Sequence, residues 1–233
     1  MRSPEDFFED MERDRSLRER EIRLIENITA RTEAAEERDM LHRSLILLTY
    51  AHFEGFCKFA LTVYTSAINS LALPCREACT PLVAATLSKV FGALRDVNSK
   101  HQEFARVLPN DRELHLAARE HAFIDKYEVM VTQKVTVSDK LVDTKSNLNT
   151  IVLKRNLYQL GLNYPVIENH RSNIDKMLGV RNAIAHGDVL MIPTQGEVAD
   201  YTSTAFEVMR FIQQEVYQSL RDETYRKRPV NAA

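Results

Sequence analysis

The residues best suited to chemistry form one heptad, Arg181-Asn182-Ala183-Ile184-Ala185-His186-Gly187. It opens with a guanidinium that stays charged at any working pH and closes with the one side chain whose charge changes near neutrality. That pair suits phosphodiester cleavage. A guanidinium grips phosphate oxygens with forked donors, and an imidazole moves a proton to or from a ribose hydroxyl. RNA carries its own nucleophile, the 2′-OH, so this chemistry asks for neither a metal nor a protein nucleophile.

Spacing adds a geometric condition. On an ideal helix a five-residue step leaves two side chains about 140° apart and about 7.5 Å along the axis. Arg181 and His186 therefore do not stack on one face. They flank one cleft only by reaching sideways, and a symmetric dimer would set two copies of the pair around one groove. A second Arg and His occur close together, Arg95 and His101, but at the polar end of a helix with nothing apolar to frame a cleft.

The elements that must position the heptad read as helices. Residues 4–31 carry dense mixed charge with a thin apolar stripe, the pattern of an amphipathic helix with a solvated face. Over residues 34–72, Leu41, Leu45, Leu48, His52, Phe56, Phe59 and Val63 recur at steps of three and four. Leu47, Tyr50, Phe53, Cys57, Ala60 and Tyr64 trace a second row. Two rows make this the central helix, and Pro74 ends it. Further helices are expected over 81–97, in a broken stretch over 100–127 interrupted at Pro109, over 147–160 with Gly161 as its stop, over 172–186, and over 198–222. Residues 128–143 change character. Val129, Val131, Val135 and Val137 share one parity among threonines, which predicts a small β-hairpin or extended insertion.

Composition sets the outer bounds. Six Gly and seven Pro in 233 residues are too few for a many-stranded barrel or sandwich. The fold expected is mainly α, one domain over 1–233, with a charged N-terminal helix (4–31), a core over about 34–222 and a frayed basic tail (223–233). A net charge of −2 excludes a generally basic nucleic-acid binder. Three cysteines (Cys57, Cys75, Cys79) with no CxxC argue against a disulfide framework or structural zinc, and Cys75 and Cys79 read as ordinary thiols. No metal site, cofactor or membrane span is expected. The charged start, MRSPEDFFEDMERDR, has no apolar signal core, which predicts a cytoplasmic protein.

The string RNAIAHG resembles the signature of the HEPN superfamily (higher eukaryotes and prokaryotes nucleotide-binding), an Arg and a His with four to six residues between them and a polar residue after the Arg. Thr49–Ala60 (TYAHFEGFCKFA) and Ser146–Leu162 (SNLNTIVLKRNLYQLGL) are similar to stretches of one bacterial stand-alone branch, and the likeness spans about residues 35–220. It implies a helical bundle that dimerises and cuts RNA without a metal, in many relatives as a toxin or antiphage-defence effector. By position it makes Arg181 and His186 the catalytic pair and Asn182 the supporting polar residue. It also leaves open a module without catalysis that binds RNA, nucleotide or a partner protein. An antitoxin or sensor protein is the further partner this kinship suggests.

Other residues carry two readings each. Glu54 either orients Arg181 or His186, or pairs with Lys58 one turn on. His52 lies about 200° from Glu54 around the helix, and is either a core or interface histidine or a site residue. Asp188 either polarises His186 or shapes the turn after Gly187. Lys154, Arg155 and Arg171 are either phosphate contacts or solvated charges.

Overall fold

The computed structural model describes residues 2–145 and 147–228. Eight α-helices order the described chain: α1 (Pro4–Arg31), α2 (Ala35–Ser70), α3 (Thr80–Thr86), α4 (Ser88–Arg95), α5 (Arg112–Thr132), α6 (Thr150–Leu160), α7 (Arg171–Ala185) and α8 (Gln195–Arg221). The all-α expectation holds. No helix among the described residues is long and apolar enough to cross a membrane.

Local chemistry sets many of the ends. Ser3 and Asp6 form a reciprocal capping box at α1, with Pro4 in its first turn. Thr194 and Glu197 do the same at α8. Asp111 caps α5 by accepting from the Leu114 N–H at 3.0 Å, and Asn149 caps α6 by accepting from Val152 at 2.8 Å. Gly161 stops α6 in the left-handed region, at φ +75°. The helix expected over 81–97 is broken at Leu87 into α3 and α4.

α2 has no side-chain cap; burial holds it instead. It packs on α8, α1 and α7, with Leu45, Ile46, Phe53, Phe56, Leu61 and Ile68 sealed from water. Each such side chain contributes roughly 1.5–3 kcal/mol by leaving solvent. α1 is clamped to α8 by buried Arg15. Its Nε donates to Gln213 at 2.7 Å, and its guanidinium pairs with Glu12 and Glu19. Gly55 lies under the Arg18 guanidinium. A Cβ there would meet Arg18 Nη1 at 2.7 Å, the end of a flexible chain.

Two expectations are corrected. No β-hairpin forms at 128–143. Val129 and Val131 continue α5 to Thr132, and Val129 is 70% exposed. Only the following stretch is extended. Val135 donates to Leu73 at 2.7 Å, and Asn69 takes both backbone groups of Val137, at 2.8 and 3.0 Å. The alternation that suggested a strand is genuine for Val135 and Val137, both buried, while the bulk of α5 carries the helix through Thr132. The tail also differs up to residue 228. Tyr225 is buried and accepts from Cys79 N–H at 2.7 Å, and Lys227 donates to Glu77 at 2.8 Å. Residues 229–233 lie outside the described residues, as does Ser146 of the Ser146–Leu162 stretch.

Candidate active site

α7 buries Ile174, Met177, Leu178 and Ile184 and packs against α2. Its C-terminal end is a Schellman motif. Asp188 N–H reaches Ala183 C=O at 3.0 Å, and Gly187 N–H reaches Ile184 C=O at 3.1 Å. Gly187 takes the required left-handed φ of +86°. His186 is the cap residue just before it, exposed, at the rim of the helix end.

One turn back, Arg181 is held on several sides. Its guanidinium lies 4.2 Å from the centre of the Tyr50 ring, 3.5 Å from Glu54 Oε2, and donates to Asn182 Oδ1 at 2.8 Å. A cation over an aromatic face and beside a carboxylate is attracted by both. The Tyr50 hydroxyl donates to the Leu148 carbonyl at 3.4 Å. Burial, and then the nearby Glu54 charge, pushes its phenol well above the usual tyrosine range, so it stays a neutral donor. With the Arg181 and Glu54 side chains 22% and 17% exposed, the guanidinium is positioned yet reachable.

α2 supplies a third hold farther along the same face. Arg43, Tyr50 and Glu54 lie within about 40° of one another on an ideal helix. Arg43 donates to the carbonyls of Asp188 at 2.7 Å and Met191 at 2.8 Å. Glu54 therefore steadies the arginine of the heptad, and Arg43 steadies the loop after its histidine. The α6 stretch joins them: Thr150 N–H donates to Asp175 of α7 at 3.0 Å. The three segments behind the HEPN resemblance thus converge.

The other sequence candidates sort clearly. Glu54 meets Arg181, and no Glu54–Lys58 ion pair forms among the described residues. His52 faces α1 instead, with Nε2 2.9 Å from Glu21, and burial pulls its pKa down. It does not join Arg181 because the helix turns it to the far side from Glu54. The Asp188 carboxylate accepts from Leu190 N–H at 3.0 Å, the turn role. Lys154 and Arg171 share Glu168, at 2.7 and 3.0 Å, while Arg155 is exposed. Arg95 folds back onto the Phe91 carbonyl, and His101 N–H donates to His115. Sequence reasoning missed Arg43, whose partners are carbonyls, and saw Tyr50 only as an apolar residue. The signal for both was their spacing of seven and eleven residues from Arg43 to Tyr50 and Glu54.

A helical bundle whose long central helix braces an Arg–His helix end has the make-up of a HEPN domain. The RiboL-PSP-HEPN family model matches residues 13–218, and the chain belongs to that family. Membership places it among domains of nuclease or nucleotide-binding function. No curated protein and no solved structure matches the chain.

Proposed function

We propose that the protein is a metal-independent endoribonuclease of toxin or antiphage-defence type, acting in the cytoplasm at a site formed across a homodimer. The observation that carries the reading is the braced Arg181: ring, carboxylate and amide hold a guanidinium five residues before His186, which stands exposed at the helix end. Fixed charge aimed where charge develops is the most effective form of transition-state stabilisation.

In this mechanism the 2′-oxygen attacks the adjacent phosphorus as its proton leaves. The phosphorane-like state spreads negative charge onto the non-bridging oxygens, where Arg181 meets it. The P–O5′ bond breaks and the 5′-oxygen takes a proton. His186 of one copy accepts the first proton or delivers the second, and a second copy doubles the set. Asn182 holds the guanidinium in plane. The products are a 2′,3′-cyclic phosphate and a 5′-hydroxyl. Exposed Val189 and Leu190, directly after the helix end, favour a self-association surface there.

The test is incubation of purified protein with RNA, with and without chelator, followed by end-mapping. Cleavage that leaves cyclic phosphate ends, persists in chelator and disappears in His186→Ala is expected. Loss of cleavage on chelation, or its survival in His186→Ala, overturns the reading.

One observation favours a second reading, a module that binds RNA, nucleotide or a partner protein without cutting. Glu54 already offsets the Arg181 charge in the single chain. On this reading RNA or protein binds stably, no ends are generated, and His186→Ala leaves binding unchanged. An antitoxin or sensor protein that controls the site is compatible with either reading and would be found by co-purification with the full chain.

A further inference from the structure

An open cleft of about 800 Å³ lies between the C-terminal half of α1, the first turns of α2 and the start of α8. Glu26 and Asn27 border it from α1, Arg38 and His42 from α2, and Thr194 and Gln195 from the entry to α8. Leu45, Ile192 and Val198 add apolar wall. The cleft is separate from the Arg181–Glu54 pair, since no residue of that pair borders it.

Three features point to a ligand. First, His42 is only 7% exposed, yet its side chain enters no hydrogen bond or ion pair among the described residues. Its ring nitrogens are also not among the sealed, unpartnered atoms of the core. His42 is one of the residues that line the cleft. Buried polar groups without partners are costly and rare, so a ring placed this way is suited to a hydrogen bond from a guest. Second, the wall carries both signs of charge, Arg38 against Glu26 and Asp39. Burial raises the Glu26 carboxyl above its ordinary range. Such a wall disfavours a multiply charged anion and suits a neutral, flat guest with donors and acceptors on its edge and apolar faces. The volume lies within the roughly 300–1,000 Å³ of small-molecule pockets.

Third, a single loop runs from the site to the cleft. Arg43, the neighbour of His42 on α2, holds the Asp188 and Met191 carbonyls. The same loop then supplies Ile192, Pro193 and Thr194 to the cleft wall.

We propose that the cleft is a base-recognition subsite, which takes one nucleobase with its ribose from single-stranded RNA a few nucleotides from the phosphate at His186. The proposal rests on the reading of RNA as substrate and supplies that reading with a source of sequence preference. Donors and acceptors paired to a base edge discriminate by about tenfold per good pair.

The test uses the full chain carrying His186→Ala, so that RNA stays intact, and a short single-stranded RNA series with one abasic nucleotide moved along it. Binding is followed by fluorescence anisotropy. One abasic position is expected to weaken binding about tenfold, with its neighbours nearly neutral. Adding Arg38→Ala with Gln195→Ala, both at the cleft rim, removes that sensitivity, and adding His42→Asn alone does the same. Thermal melting shows that each variant is folded, and the rim pair answers the question if the buried His42→Asn variant does not fold. RNA that does not bind, abasic positions that all behave alike, or a sensitivity that survives the rim substitutions overturns the subsite. Should the abasic footprint appear while the wild-type protein leaves the same RNA uncut, the cleavage reading falls and the subsite stands.

Discussion

α2 and the α4–α5 arm are both helical by pattern, yet they differ in what surrounds them. α2 lies between α1, α7 and α8, and buries residues along nearly its whole length. α5 buries only His115, Ala118 and Arg119, and α4 buries none. The arm leaves Leu116, Ile124, Tyr127 and Val129 exposed and is tied down through polar links. Arg119 reaches the carbonyls of Ser99 and Asp96, and His115 takes the His101 N–H. Each region lies beside an Arg–His pair. Only α2 offers its pair a ring, a carboxylate and a clamp on the following loop. A motif becomes a site when a packed element fixes its side chains, and spacing alone does not supply that.

The sharpest way to break this contrast is activity. His186→Ala and Arg181→Ala are expected to lower RNA cleavage by about 10²–10⁴-fold, whereas Arg95→Ala and His101→Ala leave it within about twofold. Initial rates on one RNA under one buffer check all four. Equal losses from both pairs would remove the distinction between the regions.

Stability should separate them next. Phe53→Ala, in the sealed face of α2, is expected to cost about 3–5 kcal/mol in denaturant unfolding. Phe123→Ala, whose ring meets Phe91 and Tyr127 at 6.1 Å on a half-open surface, should cost well under half as much. The same difference explains what the sequence made legible. The span of α1, the central helix and the Gly161 stop follow from local patterns of burial and turn chemistry. The end of α5 does not, because a Val–Thr run satisfies helix and strand patterns alike until its neighbours decide. In the site, the heptad and Glu54 were readable. The choice of Arg181 over Lys58 as partner for Glu54, and the Arg43 clamp, depend on α7 lying along α2, which no single segment encodes. The docking of Tyr225 and Lys227 uses backbone partners and leaves no trace in composition.

A smaller effect probes the brace itself. Glu54→Gln keeps the shape at Arg181 and removes the charge that steadies it at 3.5 Å. Loss of one charge-assisted contact of about 1.5 kcal/mol corresponds to roughly tenfold in rate. The expected result is a fall in cleavage of that order with binding of RNA retained or improved, since the phosphate no longer competes with a carboxylate. A variant as active as wild type would show that α2 carries Arg181 without tuning it. Gly187→Ala belongs beside it. No atom crowds the position, but a left-handed φ of +86° is strained for alanine, by about 1–2 kcal/mol. A small drop in melting temperature is expected, with a larger change in cleavage than in stability because the strain falls between His186 and its loop.

The smallest effect is acid dependence, and it falls on the packed side of the comparison alone. Hydrogen bonds from Arg15 hold the Glu12 carboxyl down at about 2, against an ordinary value of 4.5. A carboxylate depressed by folding contributes stability that is fully present above its unfolded pKa and fades as pH falls toward its folded one. The α1–α8 clamp should therefore weaken as pH drops from 4.5 toward 2. Hydrogen exchange in α1 should rise over that window and flatten in Glu12→Gln, while α5 amides change far less. Glu12 is partly open to solvent, so the shift is modest. Its direction is the diagnostic: stabilisation of α1 by acid would mean that the Arg15 network opposes the docking of α1 on the bundle, and the packed surroundings of α2 would then owe nothing to it.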